Sequence, residues 1–160
     1  MHPVEPPPTD LTQTAPPDRA AWMRTLALAD PAWLEDRWQA LADPPGYTAL
    51  RGPEIGLVMV RGRMSGTGDP FNLGEMTMTR CSVRLDSGAI GHGHIAGRQA
   101  RHAELAAVFD ALLQTPDWAG AIHHTVIDPA NEADLGWRQA VAADAAKTRV
   151  DFVTLPRTRV

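Results

Sequence analysis

The chain of 160 residues is poor in cysteine, in lysine and in long apolar runs. Because Cys81 is its only cysteine, it can form neither an internal disulfide nor a self-contained iron–sulfur cluster. We find no signal-peptide pattern and no run of about 18 apolar residues, so we expect a cytoplasmic protein without a membrane contact. Lys147 is the only lysine, whereas the chain has fourteen arginines. Selection for anion recognition and a GC-rich genome explain this preference for arginine equally well.

Positive charge is also scarce, since the formal net charge is −4. Proteins that bind nucleic acid in general carry a basic excess, so we expect no nucleic-acid partner. The length is that of one domain with a core of its own. Residues 1–17 contain six prolines and little to bury, which predicts a disordered tail before a single domain at 18–160.

The domain is predicted to begin with a helical hairpin. Its first helix covers residues 18–29, with Asp18 as N-cap and Trp22 and Leu26 in the apolar stripe. Asp30-Pro31 is the cap-plus-proline start of a second helix to about residue 42.

Alternating apolar and polar residues predict an antiparallel meander after the hairpin. A short strand at 47–52 is ended or bent by Gly52-Pro53, and longer strands cover 55–64 and 75–85. Ser87-Gly88 is predicted to form a two-residue hairpin turn into the next strand.

That turn sets a register for the two strands that it joins. It places Cys81 beside His94 on one face and puts Gly91 and Gly93 beside Arg84 and Ser82 on the other. Glycines at those positions would leave the arginine uncovered and open to a ligand.

Helices dominate the last part of the chain. Residues 98–114 are predicted to form a helix with Asp110 on its outer side and a core face of Leu105, Val108, Phe109, Leu112 and Leu113. Residues 115–127 are predicted to be irregular, and Asp128-Pro129 starts a helix to about Lys147. A short strand is predicted at 150–155, and helices at both ends of an antiparallel meander give the α+β class.

Two clusters suggest ligands but have simpler explanations. The segment 65–70 contains Gly66 and Gly68 and could cradle a phosphate, yet it lacks the Gly-Lys-Ser/Thr ending of a nucleotide-binding loop, so a plain hairpin connection is the alternative. His92 and His94, with Cys81 or His102, would suit zinc. No carboxylate stands close to them in sequence, so we expect no metal in this chain.

No catalytic set is recognisable from the sequence. Glu54, Glu75 and Glu104 could act as acid or base, but nothing in the sequence brings two of them together.

The arginines are the best candidates for binding an anion or a partner. Arg98, Arg101 and His102 lie where the N-terminus of a predicted helix favours anions, although an ion-pair network with Glu104 or a subunit interface fits equally well. Arg80 and Arg84 share one strand face, and guanidinium groups brought together require a carboxylate or phosphate. The complete set of anion- or partner-binding candidates is Arg61, Arg63, Arg80, Arg84, Arg98, Arg101, His102 and Glu104.

A series of short motifs runs in order along most of the chain. The motifs are Trp22-Met23-x-x-Leu26-Ala27, Arg51-x-x-Glu54-x-Gly56-Leu57-Val58, Arg63-Met64-x-Gly66-Thr67-Gly68-x-x-Phe71, Gly74-x-x-Thr77-x-Thr79-Arg80, Val83-Arg84-Leu85, Gly97-Arg98-x-x-x-His102-Ala103-Glu104 and Arg149-Val150-Asp151-Phe152. Over roughly residues 19–155 this series resembles the G subunit family (PhnG) of the bacterial carbon–phosphorus lyase system.

The resemblance implies a subunit of an assembly that degrades alkylphosphonates. In that family the G, H and L subunits work with the I subunit to exchange the adenine of Mg-ATP for a phosphonate, forming α-D-ribose 1-methylphosphonate 5-triphosphate. The J subunit, with an iron–sulfur cluster and S-adenosylmethionine, later cleaves the carbon–phosphorus bond. G, H, I and J form a core complex that is expected to hold two copies of each.

The family supplies no catalytic residue for its G subunit, so the resemblance implies a structural or accessory role. The residues by themselves leave an alternative open, a freestanding phosphate- or nucleotide-binding enzyme that uses Arg98, Arg101, His102 and Glu104.

A complex subunit is expected to expose apolar surface and extended arms. The N-terminal helical hairpin contains three tryptophans, more than it needs to pack its two helices together. They are Trp22, Trp33 and Trp38. We therefore expect the N-terminal hairpin and the strand at 150–155 to reach onto partner chains.

Overall fold

In the part of the chain that the structure describes, two helices, three strands and three further helices follow one another. The structure, a computed structural model, describes residues 18–64 and 68–149, so the predicted tail at 1–17 and strand at 150–155 lie outside the described residues. Its elements are α1 (Arg19–Leu28), α2 (Pro31–Gln39), β1 (Tyr47–Arg63), β2 (Pro70–Leu85), β3 (Ile90–Ala96), α3 (Ala100–Leu113), α4 (Pro116–Ile122) and, after a π-helical turn (His123–Ile127), α5 (Asp128–Lys147). The strands form one antiparallel sheet in the order β1-β2-β3, which confirms the α+β class.

The helical hairpin forms as predicted. Asp30 caps α2 by accepting the Trp33 N–H at 2.9 Å, and Pro31 occupies the first turn. Trp22 and Leu26 of α1 and Leu34 of α2 are buried in the core. The burial of Leu26 and Leu34 agrees with the predicted apolar faces of the two helices. Trp22 also closes the protein's own core, so the expectation that the hairpin reaches onto partner chains is wrong for this tryptophan.

The first two strands are longer than the sequence predicts. Gly52-Pro53 bends the chain without ending it, because β1 continues through a pairing irregularity between Arg51 and Glu54. β2 begins at Pro70 and not at Glu75. The predicted meander therefore contains three strands in the described residues, two of them long.

The turn between β2 and β3 differs from the prediction by one residue. The Leu85 N–H donates to the Ala89 carbonyl at 2.9 Å, and the Gly88 N–H donates to the Leu85 carbonyl at 2.8 Å. Three residues, 86–88, form the turn, and Gly88 has a φ of +91°, as in hairpin loops that end in a left-handed glycine.

This one-residue shift reverses the predicted faces of β3. Val83 is opposite Gly91 and Cys81 is opposite Gly93, whereas His94 is opposite Arg80. The predicted pairing of Cys81 with His94 and of Arg84 with a glycine is therefore wrong. A slip of one residue moves every side chain of a strand to the other face.

The two glycines of β3 let α3 approach the sheet closely. A Cβ atom at Gly93 would lie 2.0 Å from the Ala103 carbonyl oxygen, and one at Gly91 would collide with the backbone at Ala107 and Ala111. These glycines serve helix–sheet packing and do not open a site for a ligand.

The helix α3 is the centre of the core. All five residues of its predicted core face are buried, but so is Asp110, which was predicted to face outward. The helix begins at Ala100 and not at Arg98.

The segment after α3 is helical where the sequence predicts irregular structure. The short α4 runs through the π turn directly into α5, so Asp128-Pro129 continues a helix and does not begin one. In the π turn the hydrogen bonds span five residues instead of four. The turn lies just before Pro129, which has no backbone N–H to donate to the helix. No helix in the described residues is long and apolar enough to span a bilayer, and the cytoplasmic location stays a prediction.

Two parts of the chain project from the core. β3 pairs with β2 only between Met78 and Arg84, so residues 57–63 of β1 and 70–77 of β2 continue as a two-stranded ribbon, which we call the arm. The helix α5 has no buried residue. It touches α1 through bonds such as Thr25 Oγ1 to Asn131 Oδ1 at 2.7 Å.

Replacing Gly93 by alanine is expected to destabilise the protein by about 1–3 kcal/mol, because the added methyl overlaps α3 backbone that cannot rotate away. Urea unfolding measures the change. Gly56→Ala in β1 is the matched control, since nothing lies within 4 Å of a Cβ atom there. Equal stability of both variants would contradict the close helix–sheet contact.

Candidate functional site

The predicted arginines of β2 lie on the open face of the sheet, away from α3. Arg80 is opposite Glu54 of β1 and its Nη2 lies 3.3 Å from the Glu54 carboxylate, which also pairs with Arg51. Arg84 is exposed between Thr48 and Ile90 on the neighbouring strands. Within residues 18–64 and 68–149, Arg84 makes no ion pair.

The arginines of the arm lie at its far end. Arg63 donates from Nη1 to the Gly68 carbonyl at 3.0 Å, which helps to close the end of the ribbon. Arg61 is exposed and forms no ion pair in the part of the chain that the structure describes. Neither residue lies near the start of α3, so the arginine candidates do not converge on one site.

The start of α3 holds an ion-pair network and not an open anion site. Arg101 bonds to the Glu35 carboxylate at 2.7 Å and to Glu104 at 2.9 Å, and the Tyr47 hydroxyl donates to Glu104 at 2.9 Å. The hydrogen bond to Arg101 lowers the pKa of Glu35, and the same bond raises the pKa of Arg101. Arg101 therefore takes part in the network with Glu104, one of the three interpretations of this helix start.

The other two candidates at this helix differ in exposure. Arg98 is exposed in the connection between β3 and α3 and has no ion pair among the described residues. His102 is buried, with Nε2 2.8 Å from the Leu26 carbonyl. Burial lowers the pKa of His102, and the bond to Leu26 opposes that shift. His102 therefore fastens α1 to α3 and does not face a ligand.

A buried carboxylate that the sequence did not reveal connects three elements. Asp110 accepts two bonds from the Arg19 guanidinium, at 2.7 and 3.1 Å, one from the Trp22 Nε1–H at 2.8 Å and one from the His92 backbone N–H at 2.9 Å. Its oxygens are thus fully satisfied, as a buried charge requires. The only hint in the sequence is an acidic residue between core positions of a helix.

Near this carboxylate the surface has a concavity of about 720 Å³, lined by Arg19, Arg51, Ser82, His92 and other residues. Ser82 Oγ lies 2.9 Å from His92 Nδ1. Asp110 bonds to the histidine backbone and not to its ring, so the pair lacks the third group that orients the base in a hydrolase triad.

No metal cluster of three His, Cys, Asp or Glu side chains occurs in the described ranges. Cys81 is buried under α3, where burial raises the pKa of its thiol. His92 and His94 lie on the opposite face of the sheet. The geometry proposed for a Cys81–His94 zinc site is therefore absent.

Comparison with known proteins identifies the family of this chain. Residues 17–158 match the family described as "Phosphonate metabolism protein PhnG". The chain belongs to this family. It is also 45% identical, over 139 residues, to "Alpha-D-ribose 1-methylphosphonate 5-triphosphate synthase subunit PhnG" of Rhizobium meliloti (strain 1021), an alignment that covers 87% of this chain and 88% of the relative. The resemblance found in the sequence is thereby confirmed.

Lowering the pH from 7 to 5 is expected to destabilise the fold. The lowered pKa of His102 means that the unfolded state binds its proton more readily, so stability is fully present above the ordinary value of 6.5 and is lost as the pH falls toward the folded pKa. His92, whose pKa is also lowered by burial, acts in the same direction. One proton contributes at most about 1.4 kcal/mol per pH unit.

Urea unfolding at several pH values tests this expectation. His102→Gln should be less stable than the wild type at pH 7, because burial of the ring and its bond to Leu26 are lost, but its stability should depend less on pH. Equal slopes for the two proteins would show that His102 does not contribute to the pH dependence.

Proposed function

We propose that this chain is a subunit of α-D-ribose 1-methylphosphonate 5-triphosphate synthase, within the carbon–phosphorus lyase assembly. Membership of the phosphonate metabolism family and the 45% identical synthase subunit support this assignment. The observation that carries it in the structure is the arm, a two-stranded ribbon that shows apolar side chains on both faces. A ribbon of two strands is marginally stable alone in water, so a partner surface is expected to cover it.

The arm is apolar in a way that a free monomer rarely tolerates. Leu57 is 64% exposed and Met59 52% exposed on one face, and Leu73 is 61% exposed on the other. Exposed apolar surface of this kind is typical of protein–protein interfaces.

A second apolar surface lies between α5 and the N-terminal helical hairpin. A groove of about 630 Å³ separates α5 from the corner between α1 and α2, with Trp33 and Leu28 on one wall and Trp137 on the other. Trp137 is 64% exposed. Trp33 is only half-buried, which leaves the prediction that this tryptophan meets a partner in place.

The role of the chain in the complex is proposed to be structural. With the H, I and L subunits it would support the exchange of adenine from Mg-ATP for an alkylphosphonate, and Mg-ATP is then a substrate of the complex. The iron–sulfur cluster and S-adenosylmethionine would belong to the J subunit, since Cys81 is this chain's only cysteine. We further propose a core of two copies each of G, H, I and J.

The alternative of a freestanding nucleotide-binding enzyme receives less support. Of its four residues, His102 bonds to the α1 backbone, and Arg101 and Glu104 bond to each other and to Glu35 or Tyr47. Only Arg98 remains open for a ligand, so the set does not form a pocket.

Co-expression of the tagged chain with the H, I, J and L subunits is expected to give a hetero-oligomer, with two copies of each core subunit by native mass spectrometry. A mixture of H, I and L with ATP and methylphosphonate should form α-D-ribose 1-methylphosphonate 5-triphosphate, and not merely release adenine, only when this chain is added. A chain that purifies as a monomer without any of these subunits, or formation of this product without the chain, would contradict the proposal.

Replacing Arg84 by glutamine is expected to separate assembly from folding. The unfolding free energy should change by less than about 0.5 kcal/mol, because this exposed side chain has no ion pair within the described residues. Complex formation or turnover should weaken about tenfold if one charge-assisted hydrogen bond is lost. A melting temperature that falls sharply while assembly and turnover per folded complex stay normal would instead assign Arg84 to the fold.

A further inference from the structure

One face of the arm continues the face of the sheet on which α3 packs. Cys81, Val83 and Leu85 of β2 are buried beneath the helices, and Thr79 is the next residue of this face. The Thr79 hydroxyl accepts the Gln99 N–H at 3.0 Å and donates to the Gly97 carbonyl at 2.6 Å. The helix layer over β2 therefore begins level with Thr79.

From the level of Thr79 outward, the same face of β1 is uncovered. Ile55 is opposite Thr79, Leu57 is opposite Thr77 and Met59 is opposite Glu75, and residues directly opposite each other share a face. These three apolar residues, which we call the arm strip, are between 52% and 64% exposed. Their spacing covers about 13 Å along the strand, roughly the length of nine helical residues.

The charges around the arm strip indicate the chemistry of what covers it. The pairing shifts by one residue between Val60 and Arg61, and the extra residue, Leu73, belongs to β2. The alternation of β1 therefore continues, and Arg61 and Arg63 follow Met59 on the same face toward the end of the arm. Arg61 makes no ion pair in the described part of the chain. The carboxylate of Glu75 stands beside Met59. The face thus changes from apolar to cationic as it leaves the body.

We propose that an amphipathic helix of a partner subunit packs on the arm strip, in the same layer as α3, with acidic residues at its end nearest Arg61 and Arg63. A helix suits this surface because α3 already covers the adjoining part of the same face, where β3 is present. A helix packed on a sheet buries an apolar face of this kind. Carboxylates complement the two arginines, and truncating the apolar anchors weakens such an interface most. This inference rests on the proposed function as a complex subunit.

The test places a photo-crosslinking amino acid at position 57 of the chain in the co-expressed complex, with position 135 as the matched control. Leu135 is an exposed apolar residue of α5, outside the arm, and it does not line the groove beside Trp137. Position 57 is expected to crosslink to a partner subunit, and the crosslinked peptide should be a helical segment with an apolar stripe and acidic residues at one end. Position 135 should crosslink to that peptide at least tenfold less.

Substitutions give a second measure on the same complex. Leu57→Asp and Arg61→Glu are each expected to reduce the yield of complex about tenfold or more, whereas Leu135→Asp should leave it unchanged. Circular dichroism is expected to show all three folded, since the three positions are exposed.

Several results would overturn the inference. They are an intact complex without a crosslink from position 57, a crosslink to a second copy of this chain, a crosslinked segment without acidic residues, and wild-type yield from Leu57→Asp. A wild-type chain that assembles with no other subunit would remove the proposed function as well. Assembly without contact at the arm strip would remove this inference alone.

Discussion

The close approach of α3 to β3 is the contact on which the rest of the structure depends. Gly91 and Gly93 present no side chain to the helix, so the backbone at Ala103 and Ala107 lies directly on the strand. At this short distance the Asp110 carboxylate reaches the His92 backbone N–H and holds Arg19 and Trp22 of α1 on its other side. Breaking a buried ion pair of this kind lowers the free energy of unfolding far more than breaking a surface pair does. The close packing at the two glycines and the paired Asp110 carboxylate therefore stabilise the same contact between α3, β3 and α1.

The same geometry limits how much of the sheet the protein covers by itself. Because α3 begins level with Thr79, it shields only the part of the sheet where β3 is present, and the arm extends past this cover. A monomeric enzyme would be expected to bury such a ribbon or to make it polar. The uncovered apolar residues therefore argue more strongly for a subunit than the lack of a recognisable catalytic set does.

Local patterns predicted the elements of this fold but not the contacts between them. The Asp30-Pro31 start, the core face of α3 and the alternation of β2 follow from short-range rules. The register of β3 depended on whether two or three residues form one turn, and that single residue decided which face His94 occupies. The side-chain partners of Asp110 lie 88 and 91 residues away in α1, and no local sequence pattern can predict contacts over such a separation. The π turn before Pro129 shows no periodic signal of its own.

The arginines illustrate how topology changes the meaning of a motif. Arg84 and Arg101 both belong to the predicted anion-binding set, yet Arg84 is on the open face of the sheet and Arg101 is on the helix that packs on the other face. Glu54 and Glu35, which belong to other elements, pair with Arg80 and Arg101. With the sheet between them, Arg84 and Arg101 cannot hold one phosphate together. The arginine positions are therefore better explained as separate ion pairs and partner contacts than as a single substrate site.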